Sequence, residues 1–209
     1  CDPVGDRMAC YLEPLYRCEC FLADEVGRLR ELPVVPPRDL ERQIRRQEKE
    51  RGIRYADGQK QAMRLCFESG ISVITGGPGT GKTTALLTMI DLIEGAGLRA
   101  SLCAPTGRAA KRMSELTGRE SKTLHRLLEA GFDTGSGLLR FKRNEQNPLE
   151  TDVVIVDESS MLDLMLASSL LRAMKPHARL VLVGDADQLP PVGPGSFFAD
   201  LLASECVPA

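Results

Sequence analysis

A glycine-rich segment of this chain has the residue types and the spacing of a phosphate-binding loop. It reads Gly-Gly-Pro-Gly-Thr-Gly-Lys-Thr-Thr over residues 76–84, between a β-branched run and a helical pattern. Glycines let the backbone approach an anion closely, so that successive N–H groups point inward around a phosphate. The order of strand, loop and helix is the one that a P-loop requires. We therefore predict a nucleoside triphosphate site formed by Gly77, Pro78, Gly79, Thr80, Gly81, Lys82, Thr83 and Thr84.

Two residues of this loop have specific predicted roles. Lys82 opens the next helix, where free N–H groups and the positive end of the dipole favour phosphate, and its ammonium group can reach the β and γ oxygens. Thr83 places a hydroxyl where Mg²⁺ would sit. The alternative is a glycine-rich turn that matches the pattern by chance, and the flanking strand and helix argue against it.

A second group of candidate residues is the acidic pair Asp157-Glu158, which follows the apolar run 153–156. Carboxylates at the carboxyl end of a buried parallel strand lie at the sheet edge where α/β folds bind ligands. Asp157 is suited to hold Mg²⁺, and Glu158 to orient and deprotonate an attacking water. The alternative is a helix cap, because Ser159 and Ser160 follow, but a cap accounts for one acid and not for two.

Two further strand ends carry polar residues. The segment 182–193 ends an apolar run in a turn rich in acid and proline, where Gln188 can accept from a water or donate to a γ-phosphate oxygen. The segment 104–112 passes from a strand into a helix and carries Arg108, Lys111 and Arg112, which suit a nucleic-acid phosphate. Taken alone, the first segment is also compatible with a turn of no function, and the second with a solvated basic helix face.

Alternating strand and helix patterns must position these motifs. Helical spacing is predicted over residues 11–32 and about 39–51, and these helices form a small N-terminal region, residues 1–54. From residue 55 to 209 the pattern predicts an α/β fold, a P-loop domain with a parallel sheet flanked by helices. A polar, glycine-containing stretch at about 131–150 is interpreted as a small hairpin or loop insertion.

Composition excludes several classes of protein. The net charge of −2 excludes a polycation that binds nucleic acid by bulk attraction, so any such contact must be local. The apolar runs are too short for a membrane helix, and the seven cysteines show no paired spacing that favours zinc or a disulfide framework. We expect free thiols in a cytoplasmic protein. The first residue, Cys1, suggests a processed chain or an excised fragment.

The order of these motifs resembles the RecD/TraA family of superfamily 1 DNA helicases, the exodeoxyribonuclease V alpha-subunit type. The resemblance covers about residues 55–202, and residues 184–195, Gly-Asp-Ala-Asp-Gln-Leu-Pro-Pro-Val-Gly-Pro-Gly, carry it most specifically. It includes Gln59 and the run Thr-Leu-His-Arg-Leu-Leu at 123–128. Residues 11–16 resemble the helical lead-in of stand-alone RecD-like proteins more weakly. Ser159 departs from the family, which usually has alanine there, and this small change should not affect the two acids.

The resemblance implies that residues 55–209 are a P-loop NTPase domain with a RecA-like sheet. It also implies an ATP-driven motor that moves 5′ to 3′ along single-stranded DNA in recombination and repair. Gln59 would match the residue that reads adenine, and Gln188 the sensor that couples the γ-phosphate to DNA. Lys82 and Thr83 would hold phosphate and Mg²⁺, with Asp157 as second metal ligand and Glu158 as the group that activates water. The DNA contacts would be Pro105, Thr106, Gly107 and Arg108, whereas His125 is either a DNA contact or a core or capping histidine.

The family's second motor domain, with its arginine finger, has no counterpart in this sequence. We therefore expect the chain to bind ATP, to hydrolyse it poorly and not to unwind DNA by itself. The missing domain and RecB/RecC-like subunits are the expected partners. Three other readings remain open: the helicase portion of a conjugative relaxase, a P-loop kinase or GTPase that does not act on DNA, and a non-catalytic ATP-binding module.

Overall fold

The computed structural model describes residues 2–4, 7–133 and 137–209 of the chain. Its central element is a five-stranded parallel sheet in the order β3-β9-β8-β4-β5. Two small antiparallel pairs, β1 with β2 and β6 with β7, lie outside this sheet. The predicted α/β class with a parallel sheet flanked by helices is confirmed.

The elements alternate along the chain as the sequence pattern predicts. The strands are β1 Asp2–Val4, β2 Arg7–Ala9, β3 Ile71–Thr75, β4 Ala100–Ala104, β5 Ser121–Thr123, β6 Ala130–Phe132, β7 Leu139–Phe141, β8 Val153–Val156 and β9 Arg179–Gly184. The helices are α1 Glu13–Arg30, α2 Leu40–Arg51, α3 Asp57–Glu68, α4 Lys82–Gly95, α5 Gly107–Thr117, α6 Leu124–Leu127, α7 Leu164–Ala173 and α8 Phe197–Ser204. A short 3-10 helix spans Ser159–Met161.

The two faces of the sheet belong to two separate hydrophobic cores. Strand β8 shows this directly, because Val154 and Val156 lie in one core while Val153 and Ile155 lie in the other. Successive side chains of a strand point to opposite faces, so an uninterrupted apolar run is what a strand buried on both faces requires. Helices α1, α7 and α8 contribute buried residues to the first core, and α2, α3 and α4 contribute to the second.

The N-terminal helices pack on these same cores. On α1, Leu22, Val26 and Leu29 are buried in the first core, where α1 packs against α7. On α2, Leu40 and Ile44 are buried in the second core together with residues of α4. Residues 13–51 therefore cover both faces of the sheet that carries the candidate site.

Several elements differ from the sequence prediction. Strand β5 and helices α7 and α8 were not predicted, because β5 is only three residues long and short apolar segments, such as the ten residues of α7 and the eight of α8, leave helix and strand ambiguous. Helix α3 begins at Asp57, and the Gln59 side chain accepts from the N–H of the capping residue Ala56. The central stretch of the predicted insertion, residues 134–136, lies outside the described residues, and an antiparallel pair flanks it.

Six cysteines lie in the described part of the chain, and none of the six forms a disulfide bond. Cys66 and Cys103 are fully buried, and burial raises the pKa of Cys66 to about 12 and that of Cys103 still further. Both act as small apolar core residues. Within the described ranges, no helix combines the length and the apolar character that crossing a bilayer requires.

Candidate nucleotide and nucleic-acid site

The parallel sheet brings all the sequence motifs to one edge. The last residues of its strands are in register: Thr75 pairs with Gly184, Val156 with Leu182 and Ala104 with Thr123. Because the strands are parallel, the segments that follow them emerge on the same side. Along this edge the order is the P-loop after β3, the Gln188 turn after β9, the Asp157-Glu158 pair after β8, and the 105–108 and 124–127 segments after β4 and β5.

The P-loop has the backbone conformation that its glycines permit. Gly79 and Gly81 have φ values of 77° and 83°, in the left-handed region that other residues rarely adopt. The Lys82 ammonium donates to the Gly77 carbonyl at 2.8 Å and also contacts the Gly76 carbonyl. Thr80 Oγ1 donates to the Gly77 carbonyl at 2.9 Å. These contacts curl the loop around the first turn of α4, with Lys82 at the start of the helix.

Gln59 joins α3 to the P-loop. Its Oε1 accepts from the Ala56 N–H at 2.9 Å, and its Nε2 donates to the Gly81 carbonyl at 3.1 Å. A cleft of about 410 Å³ lies beside it, lined by Gln59, Ala62 and Leu65 of α3 and by Gly76 and Lys82 of the loop. Ligand pockets have volumes of roughly 300–1,000 Å³. This cleft therefore has the size and the mixed apolar and polar lining that a nucleotide base and its phosphates need.

The acidic pair lies at the centre of the edge. Asp157 is half-buried, and this burial raises the pKa of its carboxyl group, although the Glu158 N–H, Arg112 and Lys82 oppose this. Its Oδ1 accepts from the Glu158 N–H at 2.9 Å, so it does not cap the helix that follows. Glu158 has φ 51° and ψ 40°, a left-handed conformation that is strained for a glutamate. Such strain is found where the surrounding structure imposes a functional geometry.

Ser159, the departure from the family sequence, is fully buried behind the two acids. Its hydroxyl donates to the carbonyl of Val156, the last residue of β8, at 2.8 Å, so the buried polar group has a hydrogen-bond partner. A buried hydroxyl with a hydrogen-bond partner costs little stability. The serine therefore adds no unpaired polar group behind Asp157 and Glu158, and its lack of effect on the two acids stays a prediction.

The turn that contains Gln188 is shaped by the carboxylate of Asp185, for which the sequence alone predicted no role. Asp185 is buried and its Oδ1 accepts from the Asp187 N–H at 3.1 Å, while its carbonyl accepts from the Gln188 N–H at 3.2 Å. Gln188 itself is exposed at the sheet edge. The sequence feature that could have pointed to Asp185 is its position directly after Gly184, the last residue of the buried strand β9. This aspartate shapes the turn from which Gln188 projects.

The motifs predicted to contact DNA lie side by side. Thr106 caps α5, its Oγ1 accepting from the Ala109 N–H at 3.2 Å, and Thr123 caps α6 in the same way through the Arg126 N–H. A Cβ atom added to Gly107 would lie 4.0 Å from Thr123 Cγ2, so the first residue of α5 lies beside the cap of α6. Pro105 is half-buried before this cap, whereas Gly107 and Arg108 are exposed.

His125 is exposed one residue beyond the start of α6, which excludes the core alternative that the sequence left open. Its ring lies 5.8 Å from that of Phe141 on β7, at an interplanar angle of 54°. Both rings line a cleft of about 570 Å³ between the β6–β7 pair and the start of α7. The helix cap beside it is Thr123, not His125.

A comparison with known families decides where this chain belongs. A family profile described as an AAA domain matches residues 59–194, which is more than half of the chain. The chain belongs to this family. The matched span of the AAA domain begins at Gln59 and ends at Pro194, so it contains every residue that the sequence singled out as a candidate site.

Curated relatives of this AAA domain carry RecD names. The chain is 52% identical over 123 residues to the ATP-dependent RecD2 DNA helicase of Deinococcus radiodurans, a match covering 59% of this chain and 16% of that protein. It is 42% identical over 167 residues to the RecBCD enzyme subunit RecD of Mycolicibacterium smegmatis, covering 69% and 30% of the two chains. These relatives confirm the resemblance to RecD proteins. The AAA domain spans less than a third of the length of either relative.

Among solved structures, the chain is similar to the Pif1 helicase from Candida albicans. The identity is 30%, the TM-score is 0.49, and the match covers 68% of this chain and 34% of the other. A second similar structure, described as two coordinating Pif1 helicases unwinding forked double-stranded DNA, has 28% identity and the same TM-score, covering 73% and 38%.

Proposed function

We propose that residues 55–209 form the first motor domain of an ATP-dependent DNA helicase that moves 5′ to 3′ along single-stranded DNA. On this proposal, the helices of residues 1–54 are a supporting region of the same protein. The names of the curated relatives support a helicase, and the RecD-like motif order supports the polarity and a role in recombination and repair.

The P-loop half of the edge would bind ATP. Lys82 would hold the β and γ phosphates from the start of α4, and the loop N–H groups would surround the phosphate oxygens. Thr83 and Asp157 fit Mg²⁺ because a hydroxyl and a carboxylate are hard oxygen ligands, and the buried carboxyl group is otherwise unfavourable as an anion. Mg²⁺, when bound, neutralises the charge that develops on the phosphoryl group.

The residues beside the P-loop would drive hydrolysis. Glu158 would accept a proton from the attacking water, and its strained backbone holds it at the edge next to Asp157. Gln188 would contact the γ-phosphate or the water from the neighbouring turn. Gln59 would read adenine from the cleft beside the loop.

One observation carries this proposal: the strand order places the acidic pair between the P-loop and the basic helix start. Neighbouring strands are about 4.8 Å apart, and β9 lies between β3 and β8. Asp157, which directly follows β8, therefore lies roughly 10 Å along the edge from the end of β3. Strand β4, with Pro105, Thr106, Gly107 and Arg108 after it, is the next neighbour of β8. A change at the γ-phosphate can therefore reach the DNA-contacting segment through adjacent strand ends.

The DNA strand would follow the neighbouring N-termini of α5 and α6. The N–H groups at the start of α5 and the exposed Arg108 would bind phosphates, and His125 with Phe141 would contact bases at the cleft. We further propose that a second motor domain supplies an arginine to the ATP site, and that RecB/RecC-like subunits are possible partners. Arginine fingers in related chemistry raise the rate by about 10³ to 10⁵, so residues 1–209 by themselves should bind ATP and hydrolyse it slowly.

An unwinding assay tests the proposal. The full-length protein is incubated with duplexes that carry either a 5′ or a 3′ single-stranded tail, with and without ATP. We expect ATP-dependent unwinding of the 5′-tailed duplex and none in the Glu158→Gln variant. Unwinding restricted to the 3′-tailed duplex would contradict the polarity, and unchanged activity of Glu158→Gln would favour the non-catalytic module.

A further inference from the structure

The side-chain amide of Gln59 is held in one orientation. Ala56 offers it an N–H and Gly81 offers it a carbonyl, so the oxygen must face Ala56 and the nitrogen must face Gly81. A glutamine amide has two lone pairs on oxygen and two hydrogens on nitrogen. These two internal bonds therefore leave one acceptor position and one N–H for a ligand.

That remaining pair is suited to adenine and not to guanine. Glutamine pairs with adenine through the N6 amino donor and the N7 acceptor, whereas guanine presents two acceptors, O6 and N7, at the same edge. If the amide oxygen of Gln59 is fixed in this position, it would face O6 of guanine, and two hydrogen-bond acceptors would then lie opposite each other. The orientation of Gln59, and not merely its presence, thus determines which base is accepted.

The orientation depends on where the backbone of Ala56 lies, and Tyr55 determines that position. The Tyr55 ring is buried, and its hydroxyl lies 2.5 Å from Thr88 Oγ1 of α4. Thr88 Oγ1 is within 3.2 Å of the Thr84 carbonyl and can give its single hydrogen to it, so Tyr55 is the donor to Thr88. Tyr55, which directly precedes Ala56, is thereby hydrogen-bonded to helix α4.

Glu48 of α2 holds the same segment from the other side. Its Oε1 accepts from the Tyr55 N–H at 2.9 Å and pairs with Lys60 Nζ at 2.9 Å. The bonds from Lys60 and from the Tyr55 N–H hold the pKa of Glu48 below its usual value. Because Lys60 follows Gln59 directly, Glu48 connects the residues on both sides of the start of α3.

We propose that Glu48 and Tyr55 are positioning residues that fix the amide of Gln59 and so set the preference for adenine over guanine nucleotides. This inference rests on the proposed ATP site. It assigns part of the nucleotide selectivity to α2, in the N-terminal region of residues 1–54.

The test is equilibrium binding of ATP, GTP and tripolyphosphate to the full-length protein and to the variants Glu48→Ala and Tyr55→Phe. We expect each variant to lower the ratio of ATP to GTP affinity about three- to tenfold, the value of one neutral hydrogen bond. Tripolyphosphate affinity should stay unchanged, because the P-loop is intact. The matched control is Glu50→Ala, which removes a glutamate from the same helix that pairs with Arg46 at the surface.

Non-additivity provides a readout that a purely structural role would not affect. In a Gln59→Ala background, where no amide remains to be oriented, Glu48→Ala should leave the ATP to GTP ratio unchanged. An unchanged ratio in both single variants, with only a lower melting temperature, would overturn the inference. Failure of the ATP site itself would look different, because Lys82→Ala would then also leave triphosphate binding unaltered.

Discussion

The amide nitrogen of Gln59 donates to the backbone carbonyl of Gly81 at 3.1 Å, so the helix α3 and the P-loop form one unit. A side chain at position 81 would disturb this unit, because its Cβ would lie 2.3 Å from Gln59 Nε2. Gly81 is therefore required for two reasons: its left-handed backbone and its proximity to Gln59.

The variant Gly81→Ala separates these two reasons when it is compared with Gly97→Ala. Gly97 has nearly the same backbone conformation, φ 77°, with nothing within 4 Å of an added Cβ. We expect both variants to lose about 1 kcal/mol of stability from the strained backbone. Only Gly81→Ala should lose ATP affinity, which titration with ATP measures. Equal ATP binding by the two variants would show that the Gln59 contact has no part in the site.

The strained backbone of Glu158 predicts an unusual pair of effects. Glu158→Gly removes the carboxylate and relieves the positive φ, so we expect stability to stay equal or to rise by about 1 kcal/mol while ATP hydrolysis is abolished. Denaturant unfolding measures the change in stability, and steady-state kinetics measures the loss of ATP hydrolysis. Glu205→Gly is the control, because Glu205 also has φ 51° but lies at the end of α8. Retained hydrolysis in Glu158→Gly would exclude the carboxylate as the base.

Burial of Asp157 predicts a dependence of stability on pH. Burial raises the pKa of Asp157 in the folded protein above its value in the unfolded chain. The free energy of unfolding therefore falls as pH rises through the folded-state pKa, because the carboxyl group must then carry its charge in the folded protein. Asp157→Asn should therefore raise the melting temperature at neutral pH without nucleotide. The gain should shrink as pH falls toward the unfolded aspartate value, about 3.9. Thermal unfolding across pH, with exposed Asp24→Asn as control, measures this; a gain independent of pH would contradict it.

Arg108 predicts a specific change in DNA binding. If its guanidinium neutralises one DNA phosphate, Arg108→Ala should weaken single-stranded DNA binding and reduce the slope of log K against log salt by about 0.7, the value for one contact on a single strand. Fluorescence anisotropy at several salt concentrations measures the slope. Arg17→Ala is the control, since Arg17 is an exposed arginine of α1 that pairs with Glu13. An unaltered slope for Arg108→Ala would remove this residue from the DNA path.

Local sequence patterns were sufficient for much of the fold. The P-loop and the apolar runs of β8 and β9 each follow from a few adjacent residues, and the structure has them where predicted. Strand β5 could not be recognised, because three half-buried residues carry no period, and its place is set by pairing with β4. Asp185 was missed as a turn-forming residue for a similar reason, since its burial depends on surrounding chain segments.

The sequence by itself determined the residue types of the site, because phosphate and metal chemistry require certain side chains at short, recognisable spacings. The tertiary structure decided which of them meet. Thr106 and Thr123 cap helices of separate segments, and only the pairing of β4 with β5 places the start of α5 beside Thr123. Glu48, Tyr55 and Gln59 are spread over two helices and a turn, so only packing against α4 shows that they act on one amide. Spacing along a chain encodes local geometry, whereas contacts between distant segments depend on how the sheet and its helices pack.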